Sequence, residues 1–364
     1  MLAHLEPDLI IPGALKRFYP SMQGLLEAHR TTASLASLSI LMPTIARHRI
    51  YRNHITTLLG LALPGIDPND LTKTTLSLTF MISTCMHIPL WDLSEPGDET
   101  ALASKWISQQ MEIFESMTGE DFPPPDPSDP ESLIVELTDE EADAIARSST
   151  GGLEQWVASF FDQIFGFLSN MPDTQKNSKT QEEVLVPMIT LAVSTVLQSL
   201  EPKLFTSALK KMQRFITENV YHNAGEATAT ICRCFVEIRP EESLEAFLRP
   251  IAMNIKDEIL ENGAGQSGRI TTTEVLPRDR TLLWNLRIFF ALLGPRTGSA
   301  ILKYLKMPNS PVKEIIELTA DQCRGTMYHY VGKGLINVMS SLTGVYTLGR
   351  SLVRKESNLF PFSG

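Results

Sequence analysis

An all-α fold, built as a solenoid of stacked helix pairs (an alpha-alpha superhelix), is what this 364-residue sequence predicts. Three observations predict it. Nearly every apolar segment repeats at helical spacing, no convincing strand alternation interrupts the series, and short turns join the helices. The helix pairs return at about the 40-residue period of HEAT-type units, each pair burying its face mainly against the next. A compact all-α bundle is the alternative, but it needs long crossovers that the short connections do not supply.

The first element worth reading closely is Leu63-Pro64-Gly65-Ile66-Asp67-Pro68-Asn69-Asp70. It predicts a helix start, with Asp67 accepting the free N–H groups of the first turn, Pro68 at the first helical position and Asp70 favouring the positive helix end. Leu71, Leu78, Ile82 and Cys85 follow at helical spacing, widened by Phe80 and Met81, to an end near Ile88-Pro89-Leu90. Leu153, Trp156, Val157, Phe160, Phe161, Ile164, Phe165 and Leu168 make the next broad face. Leu185, Met188, Ile189, Ala192, Val193, Val196, Leu197 and Leu200 make another. Glu201-Pro202 ends that helix and opens one carrying Leu204, Phe205, Ala208, Leu209, Met212, Phe215 and Ile216. Ala227, Ile231, Cys234, Phe235 and Ile238 follow, and Pro240 then opens a helix with Leu244, Phe247, Leu248, Ile251, Ile255 and Ile259. Later helices are predicted over about 279–294, 297–306, 311–323 and 326–347.

Charge divides the chain. Residues 91–147 hold sixteen acids against Lys105 and Arg147, a net −14 that leaves the rest of the chain at +4. Within that window Phe122-Pro123-Pro124-Pro125-Asp126-Pro127-Ser128-Asp129-Pro130 predicts an extended acidic Pro-rich loop over 118–137. The organisation is therefore helical repeats over 1–90, a partly disordered acidic insert over 91–147, repeats over 148–260, a Gly/Thr-rich loop over 261–277 and repeats over 278–364, all one solenoid. A polar connection covers 172–181. No apolar run reaches the ~20 residues of a membrane span, and the N-terminus lacks a secretory signal, so no membrane role is expected. Cys85, Cys232, Cys234 and Cys323 form no even-spaced framework and read as reduced, buried thiols.

Catalytic chemistry is not visible. Gly263-Ala264-Gly265-Gln266-Ser267-Gly268 matches G-x-G-x-x-G, but a helix precedes it where a dinucleotide site needs a strand, so it reads as a loop. Cys232 and Cys234 sit two apart on a helix, a step that points them to different faces. The seven histidines make no metal spacing, and Asp139-Glu140-Glu141 face solvent in the acidic segment. No catalytic, cofactor or metal residues are assigned, and the chain is expected not to be an enzyme. The basic residues Lys210, Lys211 and Arg214, with Arg278 and Arg280, are a candidate patch for a polyanion such as a phosphorylated small molecule or an acidic protein. Aromatic interleaving is absent, so direct nucleic-acid binding is not expected.

Several blocks carry a family resemblance. The Pro64, Gly65, Asp67, Pro68, Asn69 and Asp70 string with Phe80-Met81-Ile82-Ser83-Thr84, the upstream Leu5-Glu6-Pro7-Asp8-Leu9-Ile10-Ile11-Pro12 and Tyr19-Pro20, and Leu153-Glu154-Gln155-Trp156-Val157 with Phe161-Asp162 are three of them. Pro240-Glu241-Glu242-Ser243-Leu244 and Leu283-Trp284-Asn285-Leu286 complete the series, in order over nearly the whole chain. Together they resemble the middle region of the large single-chain HEAT-repeat proteasome activators, the bleomycin-resistance type known in animals as proteasome activator complex subunit four. The resemblance implies part of a dome over the end ring of the proteasome core particle, opening its gate without ATP and favouring peptides, unfolded proteins and acetylated histones. It further implies a nuclear and cytoplasmic location, roles in proteasome assembly and the DNA-damage response, and binding of inositol polyphosphates by the full-length family. No phosphate ligand is carried over to a position of this chain. Family members are several times longer and dock through a tyrosine-containing tail, whereas this chain ends Phe360-Pro361-Phe362-Ser363-Gly364. It is therefore expected to be an internal piece or a truncated gene model, unable to open the core gate alone. A HEAT-type adaptor or transport scaffold unrelated to the proteasome is the alternative.

Overall fold

The computed structural model describes residues 2–23, 28–94, 138–172, 181–264, 277–294 and 297–322. Among them there is no β-strand, only an isolated parallel bridge between Leu90 and Leu200. The chain divides into two units, Met1–Ala208 and Leu209–Gly364.

In the first unit, α1 (Leu2–Leu5) and α2 (Pro7–Gln23) lead into α3 (Ala28–Arg47). Helix α2 buries Ile11, Leu15, Phe18 and Tyr19, one stripe at helical spacing, and α3 answers with Leu35, Leu38, Met42 and Ile45. The short α4 (Arg49–Arg52) and α5 (Ile55–Ala62) precede a 3-10 turn at Leu63–Gly65 and α6 (Leu71–Cys85). Beyond residue 137 come α7 (Asp139–Ser149), α8 (Leu153–Ser169) and α9 (Gln181–Ser199). Helix α6 is the central member, packed on α3 to one side and α9 to the other. Its hydroxyls fit that role: Thr75, Thr79 and Thr84 donate back to carbonyls four residues earlier, and Ser83 Oγ reaches Ser39 O of α3 at 2.8 Å.

Helix α10 (Pro202–Glu218) runs through the boundary between the units and buries all seven apolar residues of its predicted face. The second unit continues with α11 (Gly225–Ile238), α12 (Pro240–Leu260), α13 (Arg280–Leu292), α14 (Gly298–Lys306) and α15 (Pro311–Gln322). Helices α11, α12 and α13 pack on one another, and α15 packs on α12. Phe235 and Phe247 meet edge to face between α11 and α12, with ring centroids 5.8 Å apart. In the second unit each helix packs on helices one to three places away in the chain, which is how helical repeats stack, whereas in the first unit α6 also packs on α9 and α4 on α7, across residues 86–137.

The structure corrects the predicted helix start. Helix α6 opens at Leu71, and its N-cap is Asp70, whose Oδ1 accepts the Lys73 N–H at 2.9 Å. Asp67 instead closes an Asx turn, accepting the Asn69 backbone N–H at 2.8 Å, so Pro68 stands ahead of the helix rather than in its first position. Thr74 locks that turn: its hydroxyl donates to Asp67 O at 2.7 Å and accepts from Asp67 N–H at 2.9 Å. Helix α6 also ends at Cys85 rather than near Leu90. Pro89 disfavours helical backbone at Ile88, and Leu90 spends both its backbone groups on residues 199 and 201.

Two further differences are small. The last part of the predicted insert, from Asp139, is helix α7, started by a capping box in which Thr138 and Glu141 exchange bonds. In α8 it is Phe167 that is fully buried, with Phe165 half-buried. The predicted loop at 118–137, the helix over 326–347 and Cys323 lie outside the described residues.

Candidate functional site

The residues singled out in the sequence divide into structural and surface groups. Gly65 lies against α6, and a Cβ there would collide with Ser77 Oγ and stand 3.1 Å from Ser77 Cβ, so a side chain would force Ser77 to turn away and the 3-10 turn to shift. Pro64 lies in the same 3-10 turn. Trp284 is buried in α13 and donates its Nε1–H to Ile216 O at 3.1 Å, one of the last carbonyls of α10, which have no partner within their own helix. Trp156 differs. It is buried in α8 and stacked on Phe160 at 5.5 Å, yet its Nε1 has no hydrogen-bond partner among the described residues.

The basic residues lie at the surface. Lys210 and Arg280 are exposed. Arg214 is 4.0 Å from Glu218 one turn on, and Arg278 is 3.8 Å from the buried Asp279, so each already has an acidic neighbour. Lys211 is half-buried in the same helix as Lys210 and Arg214.

Burial also disposes of the thiols as nucleophiles. It pushes the Cys234 thiol up to about 11 and the Cys85 thiol up to about 12, and it raises Cys232 further still. Cys232 and Cys234 are both buried despite their two-residue step, because α11 is packed by both α12 and α13. Gly263, the first glycine of the G-x-G-x-x-G match, has φ 64° and ends α12, with Ala264 N–H reaching back to Glu258 O at 2.9 Å. A helix C-terminus stands where a phosphate-binding loop needs a strand. Among the described residues no group of three His, Cys, Asp or Glu side chains is placed to hold a metal.

The concave feature of the first unit was not visible in the sequence. A cavity of about 380 Å³ opens between α5, α7 and residues 87–93. Its floor is apolar, from Ile55, Leu59 and Leu153, and Arg52 and Arg147 line it. A second cavity of about 420 Å³ adjoins it, sharing Thr56, Ser149 and Leu153, and is lined by Trp156. Both lie beside α5. Arg52 donates its Nε–H to Ala46 O at 2.7 Å, which fixes the stem, while Arg147 is exposed and has no acidic partner among the described residues. Asp143, the one acid of the lining, is engaged by Arg49 at 3.5 Å. Trp91 and Leu93 line the first cavity while remaining 52% and 45% exposed. The sequence signal for them was an aromatic-x-aliphatic pair just after a helix-ending proline, which the charge count had assigned to the acidic insert.

With the helical repeats and their motif residues described, the relatives become informative. A family model described as proteasome activator complex subunit 4, mid HEAT repeats region, matches residues 1–360. The chain belongs to this family. It is 27% identical over 335 residues to proteasome activator complex subunit 4 of Homo sapiens, an alignment that covers 88% of this chain and 16% of that protein. To subunit 4B of Danio rerio it is 28% identical over 331 residues, covering 87% of this chain and 16% of the relative. To proteasome activator BLM10 of Saccharomyces cerevisiae it is 23% identical over 291 residues, covering 78% and 13%. The fold is accordingly an all-α HEAT-repeat solenoid, and the chain spans about a sixth of the length of the animal relatives it matches.

Proposed function

We propose that this chain is a non-enzymatic segment of an ATP-independent proteasome activator. In the full-length context it forms part of the wall of a cap on the end ring of the proteasome core particle and promotes gate opening and the degradation of peptides and unfolded proteins. The observation that carries the reading is the match of the middle HEAT region over residues 1–360, with the relatives' names behind it. The structure supports a scaffold role: Trp284 ties α13 to the end of α10, Gly65 lets the 3-10 turn lie against α6, and the buried thiols have their pKa values pushed up. Acetylated histones as substrates, participation in proteasome assembly and the DNA-damage response, and a nuclear and cytoplasmic location are parts of the same reading. So are inositol polyphosphate binding by the full-length protein and, separately, a polyanion patch at Lys210, Lys211, Arg214, Arg278 and Arg280; unchanged thermal stability of the chain at saturating inositol hexakisphosphate would argue against such a site within this chain.

The deciding experiment is a graft. The aligned region of the human relative is replaced by this chain, and the chimera is mixed with purified core particle in ATP-free buffer. Co-sedimentation and stimulated peptide hydrolysis are expected, while this chain alone stimulates nothing. A folded chimera that neither co-sediments nor stimulates overturns the proposal, and clear stimulation by the chain alone overturns the claim that it works only within the longer protein.

A further inference from the structure

One layer of the first unit lacks charge where it meets solvent. Helices α3, α6 and α9 lie side by side, with α6 in the middle and Ser83 Oγ of α6 tied to Ser39 O of α3. Residues 31–46 of α3, 74–85 of α6 and 184–199 of α9 hold no Asp, Glu, Lys or Arg. At the chain's 20% charged content, those 44 residues would ordinarily hold about nine. Burial does not account for the gap, because each helix keeps an exposed or half-buried stripe at helical spacing. On α3 it runs through Ala33, Ser37 and Ile40, on α6 through Thr75, Thr79 and its cap Met86, and on α9 through Val184, Pro187 and Leu191. Other helices of the same unit do show charge to solvent: Lys16 and Arg17 on α2, and Glu154 and Asp162 on α8, are exposed. The exclusion therefore belongs to this layer and not to the unit as a whole.

The stripes are also poor in free hydrogen-bond donors. Ser37, Thr75, Thr79 and Thr195 each donate to a carbonyl four residues earlier in their own helix, at 2.7–2.8 Å. A hydroxyl has one proton, so these four offer none to a partner. What remains is aliphatic and thioether surface: Ile40, Met86, Val184 and Leu191 are 74%, 71%, 65% and 53% exposed. Stable interfaces between folded proteins are anchored by aromatic and arginine side chains. The one aromatic residue of the three stretches, Phe80, is buried, and arginine is absent from them. Nor can such a face select a partner by opposite charge. The chemistry left is weak apolar contact that tolerates any neighbouring charge, which suits a polypeptide without fixed structure. Each stripe is about 20–25 Å long, room for an extended segment of roughly seven residues.

We propose that the face of α3, α6 and α9 is a contact surface for unfolded polypeptide, meeting aliphatic side chains of that chain without regard to its charge. The inference rests on the function proposed above for its place in degradation, as the surface that meets the substrate. Binding itself is measured on this chain alone, so a chimera that fails to activate the core particle and a face that fails to bind are separate results.

The test uses three labelled twenty-residue peptides without stable structure, alike in leucine content and with net charges of minus four, zero and plus four. Each is titrated with the full 364-residue chain by fluorescence anisotropy at physiological salt. Saturable binding of all three is expected. Met86→Gln, Val184→Gln and Leu191→Gln together remove three exposed apolar groups at positions where the fold loses little. This triple variant should weaken all three peptides by the same factor, about tenfold. The comparison is made peptide by peptide against the wild-type chain, so any attraction of the basic peptide to the acidic insert cancels. No saturable binding, a triple variant that binds like wild type, or a loss confined to one peptide overturns the proposal. A dimer of this chain that is lost in the triple variant and undisturbed by saturating peptide also overturns it, since the face would then belong to a second copy. If the triple variant does not fold, Leu191→Lys decides: it should raise the affinity for the acidic peptide relative to the basic one, and an unchanged ratio overturns the proposal.

Discussion

Gly65 shows how a single position is set by its neighbour. The 3-10 turn at Leu63–Gly65 lies so close to α6 that any side chain at Gly65 meets Ser77, whose own hydroxyl is buried without a partner. Gly65→Ala is therefore an overpacking change, expected to cost about 1–3 kcal/mol in urea denaturation. Ser77→Ala removes the colliding oxygen together with an unsatisfied buried group, so by itself it should be close to neutral. The double variant should recover part of the loss, a coupling that only two touching positions show. Additive losses, or a neutral Gly65→Ala, would mean that the turn has room to relax. The sequence made this block recognisable without giving the reason for its glycine. Composition cannot report a close approach between residues twelve apart, and the choice between Asp67 and Asp70 as cap depended on the Asn69 and Thr74 bonds.

At the scale of elements, the predicted faces of α8, α9, α10 and α12 agree closely with the buried residues, because each is an amphipathic stripe whose period survives in the sequence. The two cavities were hidden because they form only where stretches far apart in the sequence meet: α4 and α5, residues 87–93, α7 and the start of α8. One joint among these elements is sensitive to acid. His54, at the N-terminus of α5, is buried and bonded through Nδ1 to the Tyr19 hydroxyl of α2 at 2.8 Å. Burial lowers its pKa from the usual 6.5 to about 4. Between those values the unfolded chain binds a proton that the folded chain refuses, so stability rises with pH across that window and is lost as pH falls from about 6.5 towards 4. The full loss is about 3 kcal/mol. Urea midpoints measured from pH 7.5 down to 4.5 should fall accordingly, and His54→Gln, which has no titrating group, should flatten that part of the profile. A wild-type midpoint that does not change between pH 6.5 and 4.5 would mean that His54 titrates normally in the fold.

For the whole molecule, the repeat architecture carries a consequence of its own. A stacked helix pair completes its core only against the next pair, so a surface helix face in a repeat protein is either polar or covered. Near the start of this chain the described surface is neither: Leu5, Leu9 and Ile40 are 72%, 77% and 74% exposed on α1, α2 and α3, and α3 has no charged residue between Arg30 and Arg47. The chain corresponds to 16% of the length of its human relative, so in that relative most of the polypeptide lies outside the aligned region. An exposed aliphatic side chain in a helical stretch without charges, as Ile40 is between Arg30 and Arg47, has the chemistry of an interface. Produced alone, the chain should therefore self-associate, with a mass in light scattering that rises with concentration. Leu9→Glu together with Ile40→Glu adds charge at fully solvated positions, where the fold loses little, and should shift the chain towards monomer without moving its thermal midpoint by more than a few degrees. A wild-type chain that stays monomeric at its solubility limit would show these faces to be ordinary surface. Association that persists unchanged in the double variant would move the sticky face elsewhere, with Val184 and Leu191 of α9, at 65% and 53% exposed, the next pair to charge.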